Sequence, residues 1–298
     1  MKPESDLTEF TRYHNFVIQQ GMEADELAIE WLLQVKKAIY TAVYSHSQRL
    51  VSIKDPSWSM LLSLLDRVYD HAAASVVTYF TCSWASLEVL VRVTIEAATT
   101  VLYITNCDRD LRLGQYLTHH FVSTRKAAER SDPSVRSEGL KNLDWREHFI
   151  RQVAAHEGIP LDAIGWPSKV IDRFKAVGME TEYRHLYAVL SGQAHNDADS
   201  LIDFVITQCF AGHESSVIDI AAKELQYWIR FYLYSGLRYY VIAAHSYAVA
   251  MEFIGSVTEL ERIQASVEQH LMELSAAFDH SRNAMAAFLE KALTSHGD

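Results

Sequence analysis

Apolar residues recur at three- and four-residue spacing along most of this chain, which is the periodicity of an amphipathic α-helix. Between residues 23 and 51 this spacing places five apolar residues on one face: Leu27, Trp31, Val35, Ala38 and Ala42. No alternating run with hairpin signals stands out beside the helical pattern, and only 5 Pro and 11 Gly occur in 298 residues. The pattern therefore predicts an all-α protein, a multi-helix bundle.

Breaks in the pattern predict where the helices begin and end. The stretch from Trp58 to Asn106 contains no Gly or Pro but is too long for one ordinary helix, so we expect two helices that separate near residues 69–74. Further helices are predicted at 108–129, 167–176, 180–195 and 215–254, and from Ser256 to the C-terminus. The bundle is thus expected to end in long C-terminal helices.

The segment from residue 131 to 167 has the highest density of residues that interrupt helices. These are Gly139, Gly158, Pro160, Gly165 and Pro167, and such residues are typical of turns and loops. We therefore expect an irregular insertion there. The breaks suggest three parts: an N-terminal helical segment (1–56), a central helical bundle (57–214), and long C-terminal helices that pack on it (215–298).

The last predicted helix carries an apolar stripe that is suited to packing against another helix. The stripe consists of Leu260, Ile263, Val267, Leu271, Leu274 and Phe278, at the spacing of a helix-packing face. Packing within the same chain is the favoured interpretation. A homo-oligomer through the C-terminal helices is the alternative.

Charge and cysteine content restrict the classes of partner and compartment. Lys plus Arg number 27 against 38 Asp plus Glu, a net charge of −11, which disfavours nucleic acid and anionic membranes as partners. Nucleic acid is not excluded, because residues 108–151 hold nine basic and seven acidic residues. Three cysteines without C-x-x-C spacing, and no signal-peptide pattern at the N-terminus, favour a cytoplasmic protein. The most apolar window, 239–257, contains His245 and Glu252, so we expect a buried helix rather than a membrane span.

Two polar groupings interrupt the apolar helices. In the first, Glu88, Arg92 and Glu96 follow one another at i,i+4 spacing, which places one guanidinium between two carboxylates. Charged groups are costly to bury unless they are paired. The favoured interpretation is a structural ion triad, and the functional one is an arginine held ready for an anion.

The second grouping comprises Arg184, Ser191 and His195, followed by Asn196 and Asp197. On a straight α-helix, Arg184 and His195 fall within about 20° of one face but about 16 Å apart along the axis. They therefore cannot bind one small group together. His195 is equally explained as a residue near a helix C-terminus, where a cation is favoured.

The segments Val91–Ala97 and Tyr183–His195 resemble an uncharacterised, mostly bacterial all-helical family that is described only as a domain of unknown function. Its signature pairs an Arg-x-x-x-Glu helix with a later Ser-x-x-x-His helix. The resemblance covers about residues 75–210. It implies that the two motif helices pack together, with Arg92, Glu96, Ser191 and His195 as the matching positions, and it implies no activity.

Three further possibilities are a ribonuclease and two kinds of metal site. A HEPN-type ribonuclease pairs Arg with His four to six residues later, but ten residues separate Arg184 from His195, so Arg92 would have to replace the missing arginine. Glu182-x-x-His185 is half of a di-iron pattern, and a second Glu-x-x-His is absent from the sequence. A looser metal site from His195, Asp197 or Asp199 with Glu96 is a minor alternative.

The sequence thus favours a ligand- or protein-binding module with a polar centre between the 88–104 and 180–196 helices. The alternative is a hydrolase or nuclease, HEPN-like or metal-assisted. It would use Arg92, Glu96, Ser191 and His195. In it Arg92 stabilises an anionic transition state, His195 acts as acid or base, and Ser191 orients His195 or the substrate. No motif identifies a cofactor, so the cofactor is unknown.

Overall fold

The computed structural model describes residues 25–47, 57–81, 83–106, 108–193 and 215–295, without the side chains of 157, 192, 193, 215–225 and 280–295. Within these ranges the regular secondary structure is helical and contains no strand, which confirms the all-α prediction. The first helices are α1 (Glu26–Ser45), α2 (Ser57–Phe80), α3 (Trp84–Thr105), α4 (Arg109–Arg130) and α5 (Pro133–Glu157). They are followed by α6 (Val170–Ala176), α7 (residues 180–193), α8 (Ser215–Ala250) and α9 (Ile254–Ser295).

Helix α3 lies at the centre of the bundle and contacts α2, α4, α6, α7 and α8. Leu87, Val91 and Ile95 on its inner face are fully buried. Gly236 of α8 packs against Val91, and a Cβ atom on this glycine would lie 3.4 Å from a methyl group of Val91. The same core continues into α1 and α9. The long C-terminal helices are confirmed, since α8 has 36 residues and α9 has 42.

The α2–α3 break differs from the sequence prediction. Helix α2 continues through residues 69–74 and ends at Phe80. Val68, Ala72 and Val76 extend one buried face across that region, and no helix-breaking residue interrupts it. The break comes instead beside Thr81, whose hydroxyl donates to the Thr78 carbonyl at 3.1 Å, because such local bonds compete with helix continuation.

The prediction of an irregular insertion at 131–167 is wrong for most of its length, because residues 133–157 form α5. The side chain of Asp132 accepts a hydrogen bond from the Ser134 N–H at 2.8 Å, and Pro133 occupies the first turn, where its missing N–H has no cost. A single internal glycine, Gly139, costs only about 1 kcal/mol. After Gly158, whose φ is +74°, the backbone is irregular up to residue 169.

A buried polar cluster fixes the start of α1 to the two last helices. Asp25 is 8% exposed and accepts hydrogen bonds from Arg230 at 2.9 Å and from the hydroxyl of Tyr234. The centre of the His270 ring lies 4.3 Å from the centre of the Tyr234 ring and 5.7 Å from that of the Trp31 ring. The cluster therefore joins α1, α8 and α9 around one carboxylate.

No helix in the described part of the chain is long and apolar enough to cross a membrane. Buried core residues come from all three predicted segments, 1–56, 57–214 and 215–298. Their division into separate units stays a prediction.

Candidate functional site

Glu96 lies on α3 and binds two residues that are distant in sequence. Its Oε1 accepts a hydrogen bond from Arg173 Nη2 on α6 at 3.1 Å. Its Oε2 accepts one from the hydroxyl of Tyr187 on α7 at 2.9 Å. The Glu96 side chain is nevertheless 36% exposed. One carboxylate thus connects three helices and keeps part of its surface open to solvent.

Arg173 is the most buried charged residue of this cluster, with 7% of the whole residue exposed. Besides binding Glu96, its Nη1 donates to the Pro167 carbonyl at 3.4 Å. Its guanidinium carbon lies 5.6 Å from the centre of the Trp166 ring, within range of a cation–π interaction. Trp166 itself contacts Tyr103 and Tyr116 edge-on, with ring centres 5.2 and 5.0 Å apart. The irregular segment after α5 therefore holds Arg173 against Glu96.

Arg92 lies one turn before Glu96 on α3 and beside the same tyrosine. Its guanidinium carbon is 5.6 Å from the centre of the Tyr187 ring. Burial raises the pKa of the Tyr187 hydroxyl; Arg92 lowers that pKa, and the charge and hydrogen bond of Glu96 raise it. The net effect is an increase, so Tyr187 stays protonated and donates to Glu96. We call Arg92, Glu96, Arg173 and Tyr187 the Glu96 site.

Aromatic side chains line the inner side of the Glu96 site. The rings of Tyr183 and Tyr187 stack with centres 5.3 Å apart, and Phe174 packs on both. Phe174 also contacts Tyr239, which is fully buried and whose hydroxyl has no hydrogen-bond partner among the described residues. Burial raises the pKa of Tyr239, so this hydroxyl keeps its proton.

Some buried hydrogen-bond donors in and beside the Glu96 site have no partner among the described residues. Among the described side chains, seven buried nitrogen or oxygen atoms lack a partner, and they include Arg92 Nε, Arg173 Nε and the Tyr239 hydroxyl. Each of these three is a donor, and an arginine cannot lose its proton in a protein. Buried polar groups are nearly always satisfied, so each exception calls for an explanation. None of these three donors reaches an acceptor among the described residues.

Helix α7 contains one turn of π-helix, from Tyr183 to Tyr187. The N–H of Ala188 bonds the Tyr183 carbonyl, five residues back. Single π turns inside α-helices occur frequently at functional sites. This one carries both tyrosines of the aromatic lining.

The four residues that the sequence singled out have different outcomes. Arg92 and Glu96 lie together on α3, as predicted, and both are near Tyr187. Ser191 is partly buried in the α-helical end of α7, four residues after Tyr187, and α7 packs against α3. His195 lies outside the described residues, as do Asp197 and Asp199. The chemical roles given to Arg92, Glu96, Ser191 and His195 stay predictions.

The angular relation predicted between Arg184 and His195 assumed a regular α-helix, which the π turn at 183–187 rules out. Arg184 belongs to that turn and binds Glu180 at 2.7 Å, with 63% of its side chain exposed. It therefore points to solvent and not towards Glu96.

Sequence reasoning missed the cation that pairs with Glu96. We expected Arg92 to balance Glu88 and Glu96, whereas the ion pair of Glu96 goes to Arg173, 77 residues further along the chain. Arg173 lies near Asp172 and Lys175 in a helix of 7 residues, a context in which arginine is usually exposed. Tyr187 would have been easier to recognise than Arg173, because Tyr183 and Tyr187 are four residues apart and therefore lie on one face of a helix.

The described part of the chain has no group of three or more His, Cys, Asp or Glu residues placed to hold a metal ion. Glu182 and His185 belong to the described residues, and His195, Asp197 and Asp199 do not. The chemistry that the Glu96 site itself offers is hydrogen bonding and charge.

The fold and the site define an all-helical bundle protein with a charged, aromatic-lined cluster where α3, α6 and α7 meet. A family model described as "Family of unknown function (DUF5677)" matches residues 59–212, more than half of the chain. The protein belongs to this family, which confirms the resemblance to a helical domain of unknown function. Comparisons with curated proteins and with solved structures found no significant match.

Proposed function

We propose that this protein is a ligand-binding module whose Glu96 site binds the anionic group of a small molecule. The observation that carries the proposal is the buried Nε of Arg92, which has no hydrogen-bond partner among the described residues. A buried donor without an acceptor costs about 1–3 kcal/mol. An anion that accepts from Arg92 removes this cost and gains a charge-assisted hydrogen bond.

The surroundings of Arg92 fit a small-molecule site better than a purely structural cluster. Binding sites combine apolar and aromatic walls with a few fixed polar groups, and Tyr183, Tyr187 and Phe174 provide such a wall beside the charges. Arg173 holds Glu96 in place through their ion pair, while 36% of the Glu96 side chain stays exposed. If these charged groups served folding alone, we would expect each of their buried donors to have an acceptor within the protein.

The test is a titration of the isotopically labelled protein with inorganic phosphate, followed through the Nε–Hε signals of its arginines. We expect saturable shifts for Arg92 and smaller ones for Arg173, whose Nε is also buried and unpartnered. Arg184 is the internal control, because its side chain is 63% exposed and faces solvent. The Arg92→Gln variant should lose the saturable response at Arg173.

Equal, non-saturating shifts at Arg92 and Arg184 would show that phosphate acts only through ionic strength, and the proposal would be wrong. The alternative function, a hydrolase or nuclease that uses Arg92, Glu96, Ser191 and His195, stays a prediction. It depends on His195, which lies outside the described residues. A cytoplasmic location and a homo-oligomer through the C-terminal helices also stay predictions.

A further inference from the structure

We infer that the ligand of the Glu96 site carries a hydrogen-bond donor next to its anionic group, as a small amino acid does. This inference rests on the proposed function, since it concerns the second half of the same ligand. It comes from the unused hydrogen-bonding capacity of Glu96 and from the position of Glu96 relative to Arg92.

Glu96 can accept more hydrogen bonds than the protein provides. A carboxylate has about four lone-pair positions. One bond reaches Oε1 from Arg173, and one reaches Oε2 from Tyr187. With 36% of the side chain exposed, part of Glu96 is accessible from solvent. The accessible side of Glu96 therefore selects for a donor.

Arg92 and Glu96 are close enough for one small molecule to reach both. Residues four apart on a helix have Cβ atoms about 5–6 Å apart, and both side chains approach the same tyrosine, Tyr187. With a hydrogen bond at each end, an ammonium group and a carboxylate joined by one or two carbon atoms can bridge such a separation.

Electrostatics distinguishes such a ligand from a simple anion. An anion bound at Arg92 lies near the carboxylate of Glu96, and like charges at this range repel each other. Arg173 offsets part of this repulsion through its ion pair with Glu96. A donor group on the ligand would replace the remaining repulsion with a hydrogen bond. The site as built therefore favours a zwitterion over an anion of the same size.

The test compares glycine with acetate, which share a carboxylate and differ in the ammonium group. Binding of each is measured from the Arg92 Nε–Hε signal, with Arg184 as the control. We expect glycine to bind at least about tenfold more tightly than acetate, the ratio that corresponds to one net hydrogen bond to a charged group. Trimethylglycine has the positive charge but no N–H, so it should bind less tightly than glycine.

The variant Glu96→Gln separates the two ligand groups. It keeps a side-chain oxygen for Arg173 or Tyr187, and the helix content of the variant is checked before the titration. We expect the preference for glycine to disappear while acetate still shifts the Arg92 signal. Equal affinities of the unmodified protein for glycine and acetate, or a preference that survives Glu96→Gln, would overturn the inference and leave the proposed function intact. If neither compound nor phosphate shifts Arg92, the proposed function fails as well.

Discussion

Glu96 and Glu180 each form an ion pair with an arginine, and the two pairs differ mainly in burial. The Arg184–Glu180 distance is the shorter, 2.7 Å, but 63% and 43% of the two side chains are exposed. The Arg173–Glu96 distance is 3.1 Å, with only 9% and 36% exposed. Exposed ion pairs contribute little because water screens them and ordering two long side chains costs entropy. Burial, and not distance, therefore decides which pair stabilises the fold.

We predict that Arg173→Met lowers the free energy of unfolding by about 1–3 kcal/mol, because it leaves a partly buried carboxylate without its charged donor. The matched variant Arg184→Met should leave stability nearly unchanged. Denaturant unfolding followed by circular dichroism measures both. Equal losses in the two variants would contradict this ranking of the ion pairs.

The sequence revealed part of the Glu96 site and concealed the rest for a physical reason. Arg92 and Glu96 stand out because they lie at i,i+4 spacing among apolar residues of one helix. Arg173 does not stand out, because its burial comes from Trp166 and Glu96, which belong to other parts of the chain. Contacts between distant segments leave no periodic trace in the sequence.

At the scale of elements, α4 and α5 form a hairpin that contains two helical glycines in contrasting positions. A Cβ atom on Gly114 of α4 would collide with the Pro160 carbonyl oxygen and lie 2.9 Å from its carbon. A Cβ atom on Gly139 of α5 would lie 4.0 Å from that of Ala128, an ordinary contact. Gly114 therefore allows the segment after α5 to return across α4, whereas Gly139 is merely tolerated.

We predict opposite effects for alanine at these two positions. Gly139→Ala should stabilise the protein by about 0.5–1 kcal/mol, the usual gain of alanine over glycine inside a helix. Gly114→Ala should destabilise it by about 1–3 kcal/mol, because backbone must move to admit the new atom. Thermal unfolding of the two variants tests the pair. A stabilising Gly114→Ala would show that the return segment does not lie where the structure places it.

The elements that the sequence predicted correctly are those whose local signals agree with one another. Asp108 precedes α4 and accepts a hydrogen bond from the N–H of Leu111, in line with its position before an apolar-periodic run. The prediction for residues 131–167 was wrong because it took every glycine and proline in the segment as a sign of a loop. Pro133 begins a helix and Gly158 ends one, so the same residue types mark boundaries there rather than a loop.

For the whole molecule, buried tyrosines dominate the response to alkaline pH. Among the described residues, burial is the largest cause that raises the pKa of Tyr187, Tyr234, Tyr239, Tyr240 and Tyr247. A hydrogen bond to Asp66 raises the pKa of Tyr40 to about 12. In the unfolded chain tyrosine ionises near a pKa of about 10. Above that pH the unfolded state binds fewer protons than the folded one, so stability falls as pH rises.

We therefore predict that the protein keeps its full tyrosine-dependent stability below pH 10 and loses it progressively above. Tyrosinate absorbance and helix content, measured together during an alkaline titration, should show that the buried tyrosines ionise as the helices unfold. The exposed tyrosines serve as the internal reference. Ionisation of all 15 tyrosines near their ordinary pKa, with the helices intact, would contradict the prediction.

The π turn at Tyr183–Tyr187 fixes the angular offset between the two ends of α7. A π turn holds one more residue than an α turn, and each α-helical residue advances the chain by about 100°. The same segment in regular α geometry would therefore rotate Tyr183 relative to Ser191 by about 100°, and the π turn cancels that rotation. Deleting one residue between 183 and 187 should let the helix return to α geometry with its two ends in nearly the same angular relation. The length of this segment and its π turn thus compensate each other.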